Sequence, residues 1–281
     1  MLRKIYRVFF CATFFCCVLQ SQPALNIVDY KSFPPQLEIL DINPDVFEWG
    51  VAGSFLLLDK INHQLVSIGS LNDIQLVGGF GRKTVSFSEP IWVGVAPNGI
   101  LLIDRLDNKI ISLDYRLIYM NEVSLEPRIY PEKAAIDKWG AIYMYSSQYH
   151  SIFLFKRGSL GQIPHIDLKR YDNIDYCISQ IMINEKGDIG ILGCDNSVHI
   201  FSRHGDYKNS YYPNIINAEF LVPVREEWLV FNKFGEGSSI FFNSELKIPE
   251  VSIPILDIKS MNRSVAVLSK DHILILNAQF K

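Results

Sequence analysis

The residues in this 281-residue chain that could do chemistry fall into two groups, and neither forms a compact catalytic motif. The first group is the metal-ligating and redox-active side chains. Six histidines, His63, His150, His165, His199, His204 and His272, are spread along the sequence without the close spacing that preassembles a metal site. Of five cysteines, three lie in the first 24 residues, which leaves Cys177 and Cys194 as a pair able to oxidise in an exported protein. The second group is cations set beside aromatic residues in loops: Lys60, Arg105, Tyr149, Lys233 and Phe234, with Arg82 and Tyr130 on longer connections. Such residues recognise charged or flat groups on a partner, and they are the candidate ligand-binding set.

Catalytic signatures are absent from the sequence. It holds no G-x-S-x-G nucleophile elbow, no phosphate-binding glycine loop followed by a helix, no H-E-x-x-H and no C-x-x-C. The glycine-rich Gly78-Gly-Phe-Gly81 leads into loop and strand, so it offers no helix N-terminus to a phosphate. No cofactor is implied.

What positions the loops is a repeat. Strand-forming runs such as Ser54-Phe-Leu-Leu-Leu-Asp59, Ile100-Leu-Leu-Ile-Asp104 and Glu227-Trp-Leu-Val-Phe231 are each followed, after a polar loop, by a second run. The second runs begin at Gln64, Lys109, Ser151, Ser197, Ser238 and His272, roughly 40 residues apart. Each hairpin follows another strand and turn, as in Ile91-Trp-Val-Gly-Val-Ala-Pro-Asn-Gly99, and is followed by an outer strand, as in Leu117–Val123. Four antiparallel strands repeated six times predict an all-β, six-bladed β-propeller. The last copy ends at Lys281 with no outer strand, so an N-terminal segment, Leu25–Tyr30 or Gln36–Leu40, is expected to supply it and close the ring. In that fold the six loops between second and third strands share one face, which gathers the cations and aromatics named above. Asp59 and Asp104, at the ends of second strands, have turn capping as their plainer role. Cys177 and Cys194 fall on adjacent strands of the fourth blade, opposite each other or one residue out of register. That is close enough for a disulfide, with two reduced thiols as the other reading. Trp49, Trp92, Trp139 and Trp228 are expected to pack between blades, a sugar-stacking platform being the alternative.

The second unit resembles an NHL repeat in its order of signals: Gly78-Gly-Phe-Gly81, Phe87-Ser-Glu-Pro90, Ile91–Val95, Pro97-Asn-Gly99, Leu102-Ile-Asp104, Asn108-Lys-Ile-Ile111 and Leu113-Asp114. The match is partial in units one, three and four and nearly lost in five and six. The resemblance implies a six-bladed propeller of the NHL or TolB-like type, a class whose members bind many different ligands. The related gluconolactonase-type hydrolases aim Glu, Asn and Asp at a metal on the axis; here Glu48, Asp137 and Asn184 are available, although no motif places them.

The N-terminus reads as a secretory signal peptide over residues 1–24, with Arg3, Lys4 and Arg7 before the apolar Val8–Leu19 and a polar exit. A membrane anchor retained there, or lipid on Cys16 or Cys17, is the variant reading. Residues 25–281 would then form the propeller in a periplasmic, extracellular or outer-surface setting. Removing the leader takes away three cations and no acid, moving the formal charge from −3 to −6. With no basic stripe, this argues against a nucleic-acid partner. The expected function is an exported, non-catalytic scaffold that binds a protein or envelope polymer. A metal-dependent hydrolase and a structural subunit of an envelope complex are the alternatives.

Overall fold

A computed structural model describes residues 23–79 and 85–280. Its strands form six antiparallel sheets: five of four strands, and one in which the outer strand is split into two short pieces. The innermost strands are Val46–Trp49, Pro90–Ala96, Lys133–Ile136, Ile178–Ile183, Phe220–Val224 and Asp257–Met261. Each lies against its neighbours in the series, and the last lies against the first, so the six sheets surround one axis as the blades of a propeller.

Packing explains why the second strand of every blade is apolar throughout rather than alternating. Phe55 and Leu57 of blade 1 pack against Ala266 and Leu268 of blade 6, whereas Leu56 and Leu58 pack against Val93 and Leu102 of blade 2. Successive side chains point to opposite faces of a strand, and here both faces are covered by another blade. The same division recurs around the ring, so there are six cores, one per blade interface. Trp228, 1% exposed, fills the interface between blades 4 and 5, and Trp92 that between blades 2 and 3. Trp49 leans on Phe55 with ring centroids 5.1 Å apart. Trp139 departs from the expected packing: it is 50% exposed, with Lys138 Nζ and the Arg203 guanidinium 4.6 and 4.5 Å from its ring.

The ring closes through the N-terminal strand. Ala24–Ser32 pairs antiparallel with His272–Gln279, from Ala24 opposite Gln279 to Ser32 opposite His272, and is the outer strand of blade 6. The other segment considered for this role, at Gln36–Leu40, instead contains a one-turn helix at Gln36–Ile39 that buries Leu37. The leader expected over residues 1–24 lies almost wholly outside the described residues.

In blade 5 the third strand is Glu236–Ser239, not the expected Ser238–Phe242. Phe241 and Phe242 fall in the turn to the outer strand, where Asn243 adopts φ 47°. The apolar Ile240-Phe-Phe looks like strand in the sequence, but the turn at Asn243 claims it. At the inner turn of blade 2, Gly99 has φ 150°, and a Cβ there would stand 2.4 Å from the Leu113 carbonyl oxygen. No side chain fits at that position.

Candidate functional site

Several polar residues that recur by position in the repeat hold the blades together. Asp104 ends a second strand and accepts hydrogen bonds from the backbone N–H of Ser88 (2.6 Å) and Glu89 (3.0 Å), tying the incoming loop to the blade. Asp59 does the same for Asn43 at 2.7 Å. Buried Asn108 donates to Leu125 O and accepts from the N–H of Ile129 and Tyr130. These side chains are therefore joints between blades.

The loops between second and third strands and the blade-to-blade connections share what we term the upper face. At its centre a cavity of about 500 Å³ opens onto the channel. Its wall carries Asp45, Lys60, Glu132, Lys133, Glu219 and Lys233, with Asp257 and Lys259 at its floor. Lys233 pairs with Glu219 at 3.0 Å. Burial holds the Lys60 and Lys133 ammonium groups below the usual lysine pKa, and at Lys133 the charge of Lys60 lowers it further.

Of the residues expected to bind ligand, Lys60 and Lys233 line this cavity. Arg105 stands on its rim, gripping Glu89 through Nε–Oε2 at 2.9 Å and Nη2–Oε1 at 2.5 Å, with Glu132 4.0 Å away. The Glu89 bond holds its pKa above the ordinary value against the effect of burial. Phe234, 58% exposed, projects from a loop held by Asn232 Oδ1. Tyr130 is 37% exposed on a residue with φ 44°. Tyr149 packs edge-on against Phe153, 5.4 Å away, and joins the core between blades 2 and 3. Arg82 lies outside the described residues.

Below the cavity is a charged cluster that we term the neck; its Lys259 lines both this cavity and the one beyond it. Lys259, 7% exposed, sits 3.5 Å from Asp257 Oδ2, and Asp257, 5% exposed, also accepts from Phe47 N–H at 3.1 Å. Burial opposes the charge on Lys259, but Asp257 and Glu48 outweigh it and hold its pKa above the ordinary value. Glu48 is enclosed by the channel wall yet keeps some contact with the lower opening. Burial pushes its pKa up to about 7, against the pull of Lys259 and the Trp49 N–H.

Beyond the neck lies a lower cavity of about 440 Å³, lined by Trp49, Trp92, Met182 and Met261 as well as Glu48, Asp137 and Asn184. The last three thus line one cavity, from blades 1, 3 and 4. However, Asp137 Oδ1 accepts from Trp139 and Ala141 N–H, both at 2.9 Å, and Asn184 Oδ1 accepts from Lys186 and Asp188 N–H at 3.0 and 2.8 Å. Those oxygens shape the inner turns of blades 3 and 4. Among the described residues no three His, Cys, Asp or Glu side chains are grouped to hold a metal ion. The histidines stay dispersed: His150 stacks on Tyr176 at 4.0 Å, His199 Nε2 lies 2.9 Å from Ser197 Oγ, and His272 stacks on Tyr30 at 4.3 Å. Cys177 and Cys194 are joined in a disulfide at the exposed upper edge of blade 4, with Cα atoms 5.4 Å apart and Cys194 N–H donating to Cys177 O at 3.0 Å.

Lys133, Lys259 and Asp257 were not among the residues the sequence singled out. The available signal was a lysine in a short, largely apolar strand, opening Lys133-Ala-Ala-Ile136 and at the centre of Asp257-Ile-Lys-Ser-Met261.

The chain is an all-β protein built as a six-bladed propeller with two chemically distinct channel mouths. Its sequence matches no family model, and no curated protein matches it. Solved structures do resemble it. A streptogramin B lyase aligns with a TM-score of 0.62 at 13% identity, covering 92% of this chain and 98% of that one. Virginiamycin B lyase from Staphylococcus aureus aligns at 0.61 and 12% identity, over 82% and 79% of the two chains. YCF48 bound to a D1 peptide aligns at 0.55 and 10% identity, over 80% and 75%. At these identities the likeness is one of fold.

Proposed function

We propose that this protein is an exported, non-catalytic scaffold of the NHL or TolB-like propeller type, which binds a protein partner, or a polymer of the cell envelope, through its upper face. The observation that carries the reading is the convergence of charged groups from four blades on one open cavity, on the same face as the exposed Phe234 and Tyr130. Loops held by a rigid scaffold are the usual seat of recognition. A propeller of similar fold, YCF48, is known with a peptide bound. Export accords with the basic and apolar N-terminal sequence and with the disulfide between Cys177 and Cys194.

Immobilised protein should capture a partner from the cell-envelope fraction of its own organism. Lys60→Glu with Lys233→Glu should reduce that capture at least tenfold, whereas Trp139→Glu on the lower face should leave it intact. The opposite pattern would move the site to the lower face. Sequencing the N-terminus of the secreted or periplasmic protein should find a start near residue 24. Full-length protein in the cytosol would refute export.

A further inference from the structure

The upper cavity contains four lysines, and only two have carboxylate partners. Lys233 is paired with Glu219 and Lys259 with Asp257. Among the described residues, the ammonium groups of Lys60 and Lys133 lie within ion-pair distance of no carboxylate. The remaining acids of the wall attract these two lysines only at longer range, and their closest contacts are with other groups. Asp45 Oδ2 accepts the backbone N–H of Lys60 at 2.9 Å, and Glu132 takes a short hydrogen bond from Ser147 Oγ and lies 4.0 Å from Arg105. Lys60, which is exposed, and Lys133, which is half-buried, thus stand on one cavity wall without a directly bonded carboxylate. Cations held in a cavity without a direct ion pair, and attracted by the surrounding acids only at longer range, have donor capacity left for a ligand.

We infer that Lys60 and Lys133 form a receptor for a single carboxylate of the partner, which enters the upper mouth and rests between the two ammonium groups. The inference rests on the upper-face reading above and names the group that face recognises. A monoanion suits the site better than a phosphate dianion, because Asp45, Glu132 and Glu219 share the wall and repel the second charge. About 500 Å³ admits a side chain or a chain terminus, not a folded surface. Both sources of a carboxylate, an Asp or Glu side chain and a C-terminus, have the chemistry required.

Three fluorescently labelled Gly/Ser peptides separate the possibilities: one with a Glu and an amidated C-terminus, one with Gln and a free C-terminus, and one with Gln and an amide. Anisotropy titrations with the whole protein should show at least one carboxylate peptide binding tenfold or more above the neutral one, with affinity falling as salt rises. Which of the two binds identifies the source. Lys60→Met with Lys133→Met should weaken that binding at least tenfold, and Lys247→Met with Lys270→Met should not change it. Lys133→Met alone should raise the melting temperature at pH 7, which confirms a folded variant with a repulsive charge removed. Unchanged binding in the double variant, or no preference over the neutral peptide, overturns the inference. If capture from envelope extract still depends on Lys233, the upper-face reading survives that failure. Peptide binding through Lys60 and Lys133 with capture lost only on lower-face substitution would refute that reading instead.

Discussion

The two mouths of the channel are built from opposite ends of the same six strands, yet they differ in chemistry. The upper mouth begins the inner strands and is walled by Lys60, Lys133, Lys233, Asp45, Glu132 and Glu219. The lower mouth ends them; its wall sets Trp49, Met182 and Met261 beside Glu48, Lys138 and Glu185, with Asp137 Oδ1 and Asn184 Oδ1 bound into turns. Between them lies the Glu48, Asp257 and Lys259 neck, and Lys259 and Trp92 line both cavities. A propeller therefore need not present a uniform pore. Short inner strands let one end be set by the blade connections and the other by tight turns, and the two can diverge independently.

The largest test of this arrangement removes the closure that holds both mouths in shape. Deleting Ala24–Ser32 leaves His272–Gln279 as an open edge and uncovers Leu25's packing site. Melting should fall by more than ~10 °C, with aggregation visible by light scattering. Retained stability would mean that the outer strand is dispensable. Next is the neck. Asp257→Asn leaves Lys259 as a buried cation without its closest partner, and chemical denaturation should show a loss of about 3 kcal/mol. Adding Lys259→Met should recover most of it, and failure to do so would mean that Asp257 matters through its bond to Phe47 N–H.

A smaller effect concerns pH. The carboxyl of Glu48 keeps its proton in the folded state up to about pH 7 but loses it in the unfolded chain near its ordinary 4.5. The folded state therefore binds more protons between these values, and stability falls as pH rises through that window. Glu48→Gln should have no effect on melting at pH 4, below both values, and should stabilise at pH 8, by about 1–2 kcal/mol after allowance for solvent at the lower mouth. A stabilisation equal at both pH values would show that packing, not ionisation, is responsible. Smallest is Trp139→Ala, which removes a half-exposed ring and two cation contacts and should cost under ~1 kcal/mol. The same change at Trp228 should cost about 3–5 kcal/mol, because that ring fills a blade interface.

Much of this architecture could be read from the residues. The hairpin spacing gave the blade count, and the missing last strand pointed to closure from the N-terminus. The loops of the upper face were identified because they interrupt apolar runs at regular intervals. The neck was not legible, since Glu48 and Asp257 meet across the join between the first and last blades, and no local pattern connects them. Lys133 was hidden for a related reason: a lysine opening a short strand looks like a solvated edge until the ring turns that edge inward. The third strand of blade 5 was misplaced because Ile240-Phe-Phe reads as strand, and only the turn at Asn243 shows otherwise.

Closure by Ala24–Ser32 also imposes an order on how the molecule comes into being. The first strand of the propeller made by the ribosome has its partner in the last, His272–Gln279. Five blades can assemble as they emerge, but the ring stays unsealed until nearly the whole chain has been delivered. Until then the early strand waits with its hydrogen-bonding edge bare, so a factor that holds nascent chains would meet this segment first and release it last.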